Sequence, residues 1–248
     1  GDHGETVVFG DDDEGKILDL QGDLQYYLYV MGLFGCLLEE RYTDDIGCQE
    51  NLNWLFTREE IRQAQRKTRF QPLQSACFRE GGNTILRSRD RRILMGIDHA
   101  ALGFGSIAAH GHADALSFQL FADGHPVLAD PGTYIYHCDL ESRNAFRKTE
   151  NHNTVCISGK DQSEMLGAFL WGRKAKCELL EFQENAGGVT VRASHDGYRP
   201  EIHTREYWFD QANELIIKDS FNKKSRKKVV FVLSDGMQAE IMENRASV

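Results

Sequence analysis

The sequence predicts a mainly β protein, a large antiparallel β-sandwich preceded by a short helical segment, on three observations. From about Phe70 onward the chain is a series of short segments rich in β-branched and aromatic residues, separated by turn residues. Several of these segments alternate apolar and polar residues, the period of a strand with one face buried. Ahead of them, apolar or small residues recur every three to four positions, the period of an amphipathic helix.

The helical part comes first, over residues 1–69. An acidic turn, GDDDEG at residues 10–15, precedes Leu20, Leu24, Leu28, Met31, Gly35 and Leu38, which share one helical face and predict a helix running to about Tyr42. Asp12 and Asp13 stand where carboxylates favour a helix N-terminus. The acidic turn lacks the ligand spacing and terminal Glu of an EF-hand, so it reads as a solvated turn and not as a calcium loop. A second short helix is expected over residues 54–65. The sandwich occupies residues 70–248, with strands expected at 84–88, 92–99, 116–121, 154–158, 174–182, 188–194, 204–209, 214–219 and 229–233. Leu116, Phe118 and Leu120 point one way, and Ser117 and Gln119 the other. Nine short strands with no long helices between them predict antiparallel layers, not a parallel α/β sheet. The chain reads as a piece of a larger protein. Its helical segment has only the sandwich to pack on, and residues 239–248 begin a strand-like run that does not finish.

Charge and composition narrow the function. A net charge of −9 argues against a general nucleic-acid binder, which needs a basic face. The cluster Lys223, Lys224, Arg226, Lys227 and Lys228 reads as a solvated turn leading into the last strand. No stretch approaches the roughly 20 apolar residues that span a bilayer. The 6 cysteines show neither CxxC pairs nor metal-finger spacing, so mostly free thiols are expected.

The chemistry gathers in three short motifs. His110, His112 and Asp114 form an HxHxD segment before the strand at 116–121. In extended backbone, residues two apart share a face, so these side chains can converge. Asp130 lies in LADPGTY, where Pro131 and Gly132 call for a turn at a strand end. His152 lies in ENHNTV, just before another strand. Two imidazoles and a carboxylate form an N/N/O set suited to zinc. An HxH pair alone is weak evidence in a chain with 9 His, and His125, His137, His195 and His203 read as surface or structural histidines. Between the motifs, Arg143, Asn144 and Arg147 form a loop able to grip a carboxylate, or one pinned by its own salt bridges to Asp139 or Glu141. Tyr134, Tyr136 and Trp171 read first as packing residues.

HGHAD, LADPGTYIY and NHNTV, in this order and with these separations, resemble the motif set of the heparinase II/III-like polysaccharide lyases. HDGY at residues 195–198 and HTRE at 203–206 also resemble that family's sandwich strands, and GDDDEG before a helix resembles the end of its α/α toroid domain. The resemblance implies zinc ligands at His112, Asp130 and His152, a catalytic histidine at His110, and an acidic polysaccharide as substrate. It also implies cleavage of uronic-acid glycans by β-elimination, further catalytic groups on a preceding toroid domain, and a periplasmic or secreted location in a bacterium. Imidazole, with an ordinary pKa of about 6.5, suits proton transfer at neutral pH. The metal would fix the loop that aims His110 more than act as a Lewis acid. The competing reading is a non-catalytic, metal-stabilised carbohydrate-binding sandwich. A cupin-like metal enzyme ranks last, because residues 115–120 contain no Glu.

Overall fold

The computed structural model describes residues 6–12, 26–41, 50–67, 74–210 and 212–240. The chain divides into two compact units, Asp13–Leu73 and Gly1–Asp12 with Gln74–Val248. The division after residue 73 lies near the boundary expected from sequence, but the first twelve residues go with the β unit.

The helical unit contains α1 (Tyr26–Leu38), α2 (Glu50–Leu55) and α3 (Arg58–Arg66). The start of the predicted first helix lies outside the described residues. Within α1, Tyr29, Leu33 and Cys36 pack with Leu52, Phe56, Ile61 and Ala64, whereas Met31 and Leu38 of the predicted stripe are exposed. Its sequence, YYLYVMGLFGCLL, is apolar on every side, so periodicity cannot select the buried face. The single helix expected over 54–65 is two. Thr57 interrupts it with a capping box: Thr57 Oγ1 accepts from the Glu60 amide at 3.3 Å, and Glu60 Oε2 accepts from the Thr57 amide at 2.7 Å.

In the β unit, β1 (Ala76–Phe78), β2 (Asn83–Arg87), β3 (Ile93–Asp98), β4 (Phe118–Ala122) and β5 (His125–Leu128) form an antiparallel sheet in sequential order. β4 and β5 are joined by Asp123 and Gly124, both left-handed (φ 50° and 81°), the backbone that a two-residue hairpin turn demands. Helix α4 (Leu140–Arg147) and the short strands β6 (Val155–Ile157), β7 (Met165–Gly167) and β8 (Leu170–Trp171) follow. The second sheet is an antiparallel meander of β9 (Cys177–Asn185), β10 (Gly188–Tyr198), β11 (Glu201–Asp210) and β12 (Leu215–Phe221), and β13 (Lys227–Val229) then pairs with β6. Leu86, Met95, Ile97 and Phe118 of the first sheet share one buried cluster with Val189, Val191, Tyr207 and Phe209 of the second. This face-to-face packing confirms the β-sandwich. Residues 230–233, expected as strand, make only scattered bridges, including Leu128 to Leu233. The five cysteines among the described residues are free thiols.

Ser117 and Gln119 were expected on a polar face, yet both are buried. Residues 6–9 cover that face. The Gln119 side-chain amide donates to the Val8 carbonyl, and a Cβ on Gly96 would lie 2.3 Å from a Val7 methyl carbon.

The loops ahead of β4 and β6 are tied to the second sheet by one buried arginine. Arg205 donates through Nη1 to the carbonyls of Leu116 (3.0 Å) and Asn153 (2.8 Å), and the Tyr207 hydroxyl also donates to Leu116 (2.8 Å). The rest of its fork meets Asp219 at 2.7 and 3.0 Å, and His203 Nε2 reaches the same carboxylate at 2.7 Å. These bonds replace water around buried carbonyls, including that of Leu116, which sits at φ 57°. Burial by itself would raise the Asp219 carboxyl, but hydrogen bonds from His203 and Arg205 win and hold it down to about 2. A carboxyl depressed below its ordinary value of about 3.9 stabilises the fold above that pH and loses the contribution as pH falls through the folded value. Urea unfolding is therefore expected to lose about 2 kcal/mol from this group between roughly pH 5 and pH 2. Asp219→Asn should flatten that part of the profile; an acid limb as steep as the parent's would contradict it.

Candidate metal and proton-transfer site

The loop between β3 and β4 carries the HGHAD segment. It lacks the extended backbone expected from sequence: Ala108 and His110 are left-handed (φ 56° and 63°), an uncommon conformation for residues with a Cβ. Its geometry is fixed by paired amides between Phe104 and Ala109 at 2.8 and 3.0 Å, and by the Ala113 amide on the Arg147 carbonyl at 2.9 Å. His112 and Asp114 are buried, while the His110 side chain remains 37% exposed.

Asp11, which nothing in the sequence marked for this role, organises the site. Its backbone amide donates to the His110 carbonyl at 2.9 Å, and its carboxylate contacts His110 Nδ1 at 3.1 Å and His112 Nε2 at 2.9 Å. Both of its oxygens also take the fork of Arg143. The preceding Gly10 sits at φ 76°, and a Cβ there would lie 2.5 Å from the His110 carbonyl oxygen, so only glycine allows this approach. Burial would raise the Asp11 carboxyl, yet His112 and Arg143 hold it well below the usual carboxylate range. An ionised Asp11 accepts from both imidazoles, which puts the proton of His110 on Nδ1 and that of His112 on Nε2.

The same logic holds across the site. His152 Nδ1 meets Asp130 Oδ2 at 2.8 Å. Burial opposes the charged form of His152, but Asp130 raises its pKa. The nitrogens left over, His112 Nδ1 and His152 Nε2, are buried without a hydrogen-bond partner among the described residues. Donor atoms of His112, His152 and Asp114 all lie within 4.8 Å of one another. Burial pushes the Asp114 carboxyl up, against the pull of His152 and His112. Two orphaned imidazole nitrogens facing a buried carboxylate form an N/N/O donor set that fits a zinc ion. Carboxylates on the outer nitrogens supply the orientation such ligands need. Of the residues expected as ligands, His112 and His152 converge, while Asp130 stands against the other nitrogen of His152. Asp114, named in the sequence only as part of HxHxD, completes the converged set.

Arg143, Asn144 and Arg147 lie on α4 and not on a loop; Asp139 caps this helix by accepting from the Glu141 and Ser142 amides at 3.0 and 3.3 Å. The arginines face inward and are fully buried. Arg143 is committed to Asp11, not to Asp139 or Glu141. Arg147 takes Asn144 Oδ1 and the Gly167 carbonyl (2.9 Å) and lies 4.9 Å over the Trp171 ring; burial, with Arg143 beside it, lowers it to about 10. Neither fork is presented to solvent as carboxylate gripping requires. Tyr136 and Phe169 flank His110 at ring separations of 6.0 and 5.5 Å, and Tyr134, 75% exposed, stacks on Phe146. Trp171 is buried packing, and His195 and His203 are buried structural residues 3.0 Å apart.

A sequence profile described as Heparinase II/III-like, C-terminal, matches residues 71–243. The chain belongs to this family. No match was found among curated proteins. Solved structures with the same fold include a heparinase III gene product (TM-score 0.59, 19% identity, 75% of this chain and 28% of that one). The heparan sulfate lyase HepC from Pedobacter heparinus is also similar (TM-score 0.59, 16% identity, 85% of this chain and 28% of that one). A further heparinase III aligns with a TM-score of 0.59 at 18% identity, over 79% of this chain and 32% of its own. The chain thus spans about a third or less of these proteins' lengths.

Removing the Asp11 carboxylate would leave the Arg143 charge buried and unpaired. Asp11→Ala is expected to cost about 3–5 kcal/mol in urea unfolding. Asp235→Ala, at an exposed position of the same unit, should stay within about 0.5 kcal/mol. Equal stability of the two variants would show that Asp11 does not bind this site together.

Proposed function

We propose that this chain is the sandwich portion of a polysaccharide lyase that cleaves uronic-acid-containing glycans by β-elimination, with His110 in proton transfer. The observation that carries the reading is the placement of His110. It is half-exposed, its Nδ1 is committed to Asp11, and its Nε2 has no hydrogen bond among the described residues. Nε2 therefore keeps a lone pair available on a partly exposed ring whose tautomer is set. In the reaction, a base takes the proton from C5 of the uronate, and the C5–H electron pair becomes the C4–C5 double bond. The C4–O bond breaks, and the departing sugar oxygen takes a proton. His110 Nε2 suits either transfer, and the second group is proposed to lie in the part of such enzymes that this chain does not span.

A zinc ion would supply charge that locks the ligand loops together. His112 and His152 would hold it with an aspartate. Asp114 stands in the converged donor set, and Asp130, nominated by the family resemblance, bonds His152. By keeping His112 and Asp114 in place, the site would hold His110, two residues from His112, at its angle to the substrate.

The test uses the protein with its native upstream sequence, given uronate polymers including heparan sulfate. Absorbance of the unsaturated product should rise, and His110→Ala should lower kcat by roughly 10²–10⁴-fold with zinc retained. Purified chain should carry about one zinc, lost in His112→Ala and His152→Ala. No unsaturated product from any uronate polymer, with glycan binding intact in His110→Ala, would instead favour a metal-stabilised carbohydrate-binding sandwich.

A further inference from the structure

The cluster Lys223, Lys224, Arg226, Lys227 and Lys228 is more than a solvated turn. Its second half forms β13, where Lys227 pairs with Ile157 and Lys228 with Cys156 of β6, and the Ser158 amide donates to the Arg226 carbonyl at 3.2 Å. β6 ends in a left-handed turn at Ser158 and Gly159 (φ 53° and 68°). Together these segments enclose a concavity of about 560 Å³, lined by Arg226, Lys227, Lys228, Ser158 and Gly159 with Glu150 as its acidic member. That volume lies within the roughly 300–1,000 Å³ of small-molecule sites. At Gly159 nothing lies within 4 Å of where a Cβ would be, so the rim is open there.

The five cations are not equivalent. Lys227 is structural: its Nζ meets Glu201 at 2.8 Å, bonds the Lys223 and Ser225 carbonyls, and sits 4.3 Å from the Phe221 ring centre. Lys223, Lys224, Arg226 and Lys228 have no ion pair among the described residues and are exposed. In a chain of net charge −9, four uncompensated cations beside a concavity create a local site for anions that the rest of the surface disfavours. Arg143 and Arg147 are fully buried, so neither presents its charge at the surface to fill this need. The pocket is also tied to the candidate site, because β6 begins three residues after His152. Six extended residues from His152 to Ser158 reach at most about 20 Å.

We propose that the β6–β13 pocket binds carboxylate or sulfate groups of an acidic glycan chain, at a distance from the bond being cleaved. This rests on the reading that the substrate is an acidic polysaccharide. A long chain would engage the pocket and His110 together and gain from the second contact, whereas a short oligomer at His110 would not reach it.

The probes are heparan sulfate octasaccharide and polymer, with a neutral dextran oligomer as control. Arg226→Glu with Lys228→Glu, and the milder Arg226→Gln with Lys228→Gln, change exposed side chains only. Both pairs are expected to weaken octasaccharide binding to this chain by roughly tenfold or more, the loss that one charge-assisted hydrogen bond carries. Salt should weaken the parent more than the variants, and dextran should not bind. In the protein with its native upstream sequence, KM for polymer should rise while kcat and turnover of a disaccharide-length substrate stay put. Unchanged octasaccharide affinity in both pairs would overturn the pocket, as would duplex DNA competing as well as the glycan. The two readings fail separately. Product formation at unaltered polymer KM in the variants sinks the pocket alone, while charge-dependent binding with no unsaturated product sinks the lyase.

Discussion

The buried carboxylate of Asp11 is the contact on which the candidate site depends. One anion sets the proton positions of two imidazoles and neutralises a guanidinium; its own side chain and those of His112 and Arg143 are closed off from water, while His110 reaches the surface. In such surroundings an unpaired charge is costly, so removing one member of the group strands the others. The arrangement also separates two roles that HGHAD places two residues apart. His112 is drawn inward with its free nitrogen toward His152 and Asp114, while His110 is held at the surface by the other oxygen of the same carboxylate.

A second charged pair does comparable work one layer deeper. Arg205 and Asp219 belong to the opposite sheet, yet Arg205 grips the backbone just after Asp114 and just after His152. The sandwich core therefore does more than bury apolar surface: through Arg205 and Tyr207 it presents donors to two loops whose carbonyls would otherwise be stranded. The converged donor set stands on loops fastened both to the neighbouring N-terminal segment and to the far sheet. That explains how irregular, partly left-handed backbone can hold a defined geometry.

Much of this was legible in the sequence because it is local. Alternation in residues 188–194 and 204–209 fixed β10 and β11, and the order of HGHAD, LADPGTY and NHNTV pointed to the family and to His112 and His152. The misplaced features depend on distant partners. Asp11 lies about a hundred residues from the histidines it binds, and no spacing rule links them. For Arg143 and Arg147 the polar sequence context offered a carboxylate grip or salt bridges to Asp139 or Glu141, whereas Arg143 pairs with Asp11, far away in the chain. The polar side of β4 looked exposed for the same reason, since the strip at residues 6–9 that covers it comes from the other end of the chain. In α1, uniform apolarity erased the phase of the helix.

The β unit is discontinuous in sequence: Asp13–Leu73 is inserted between the strip bearing Asp11 and the first strand. The family match begins at residue 71, so a domain parsed by that match would leave behind the anion that orients its histidines. Any transplant or truncation of this sandwich has to carry two separate stretches of chain. Cleaving the backbone within the insert, by contrast, would leave the strip held only by noncovalent contacts, among them those to Gln119, His110, His112, Thr133 and Arg143, making the site's integrity a question of noncovalent complementation.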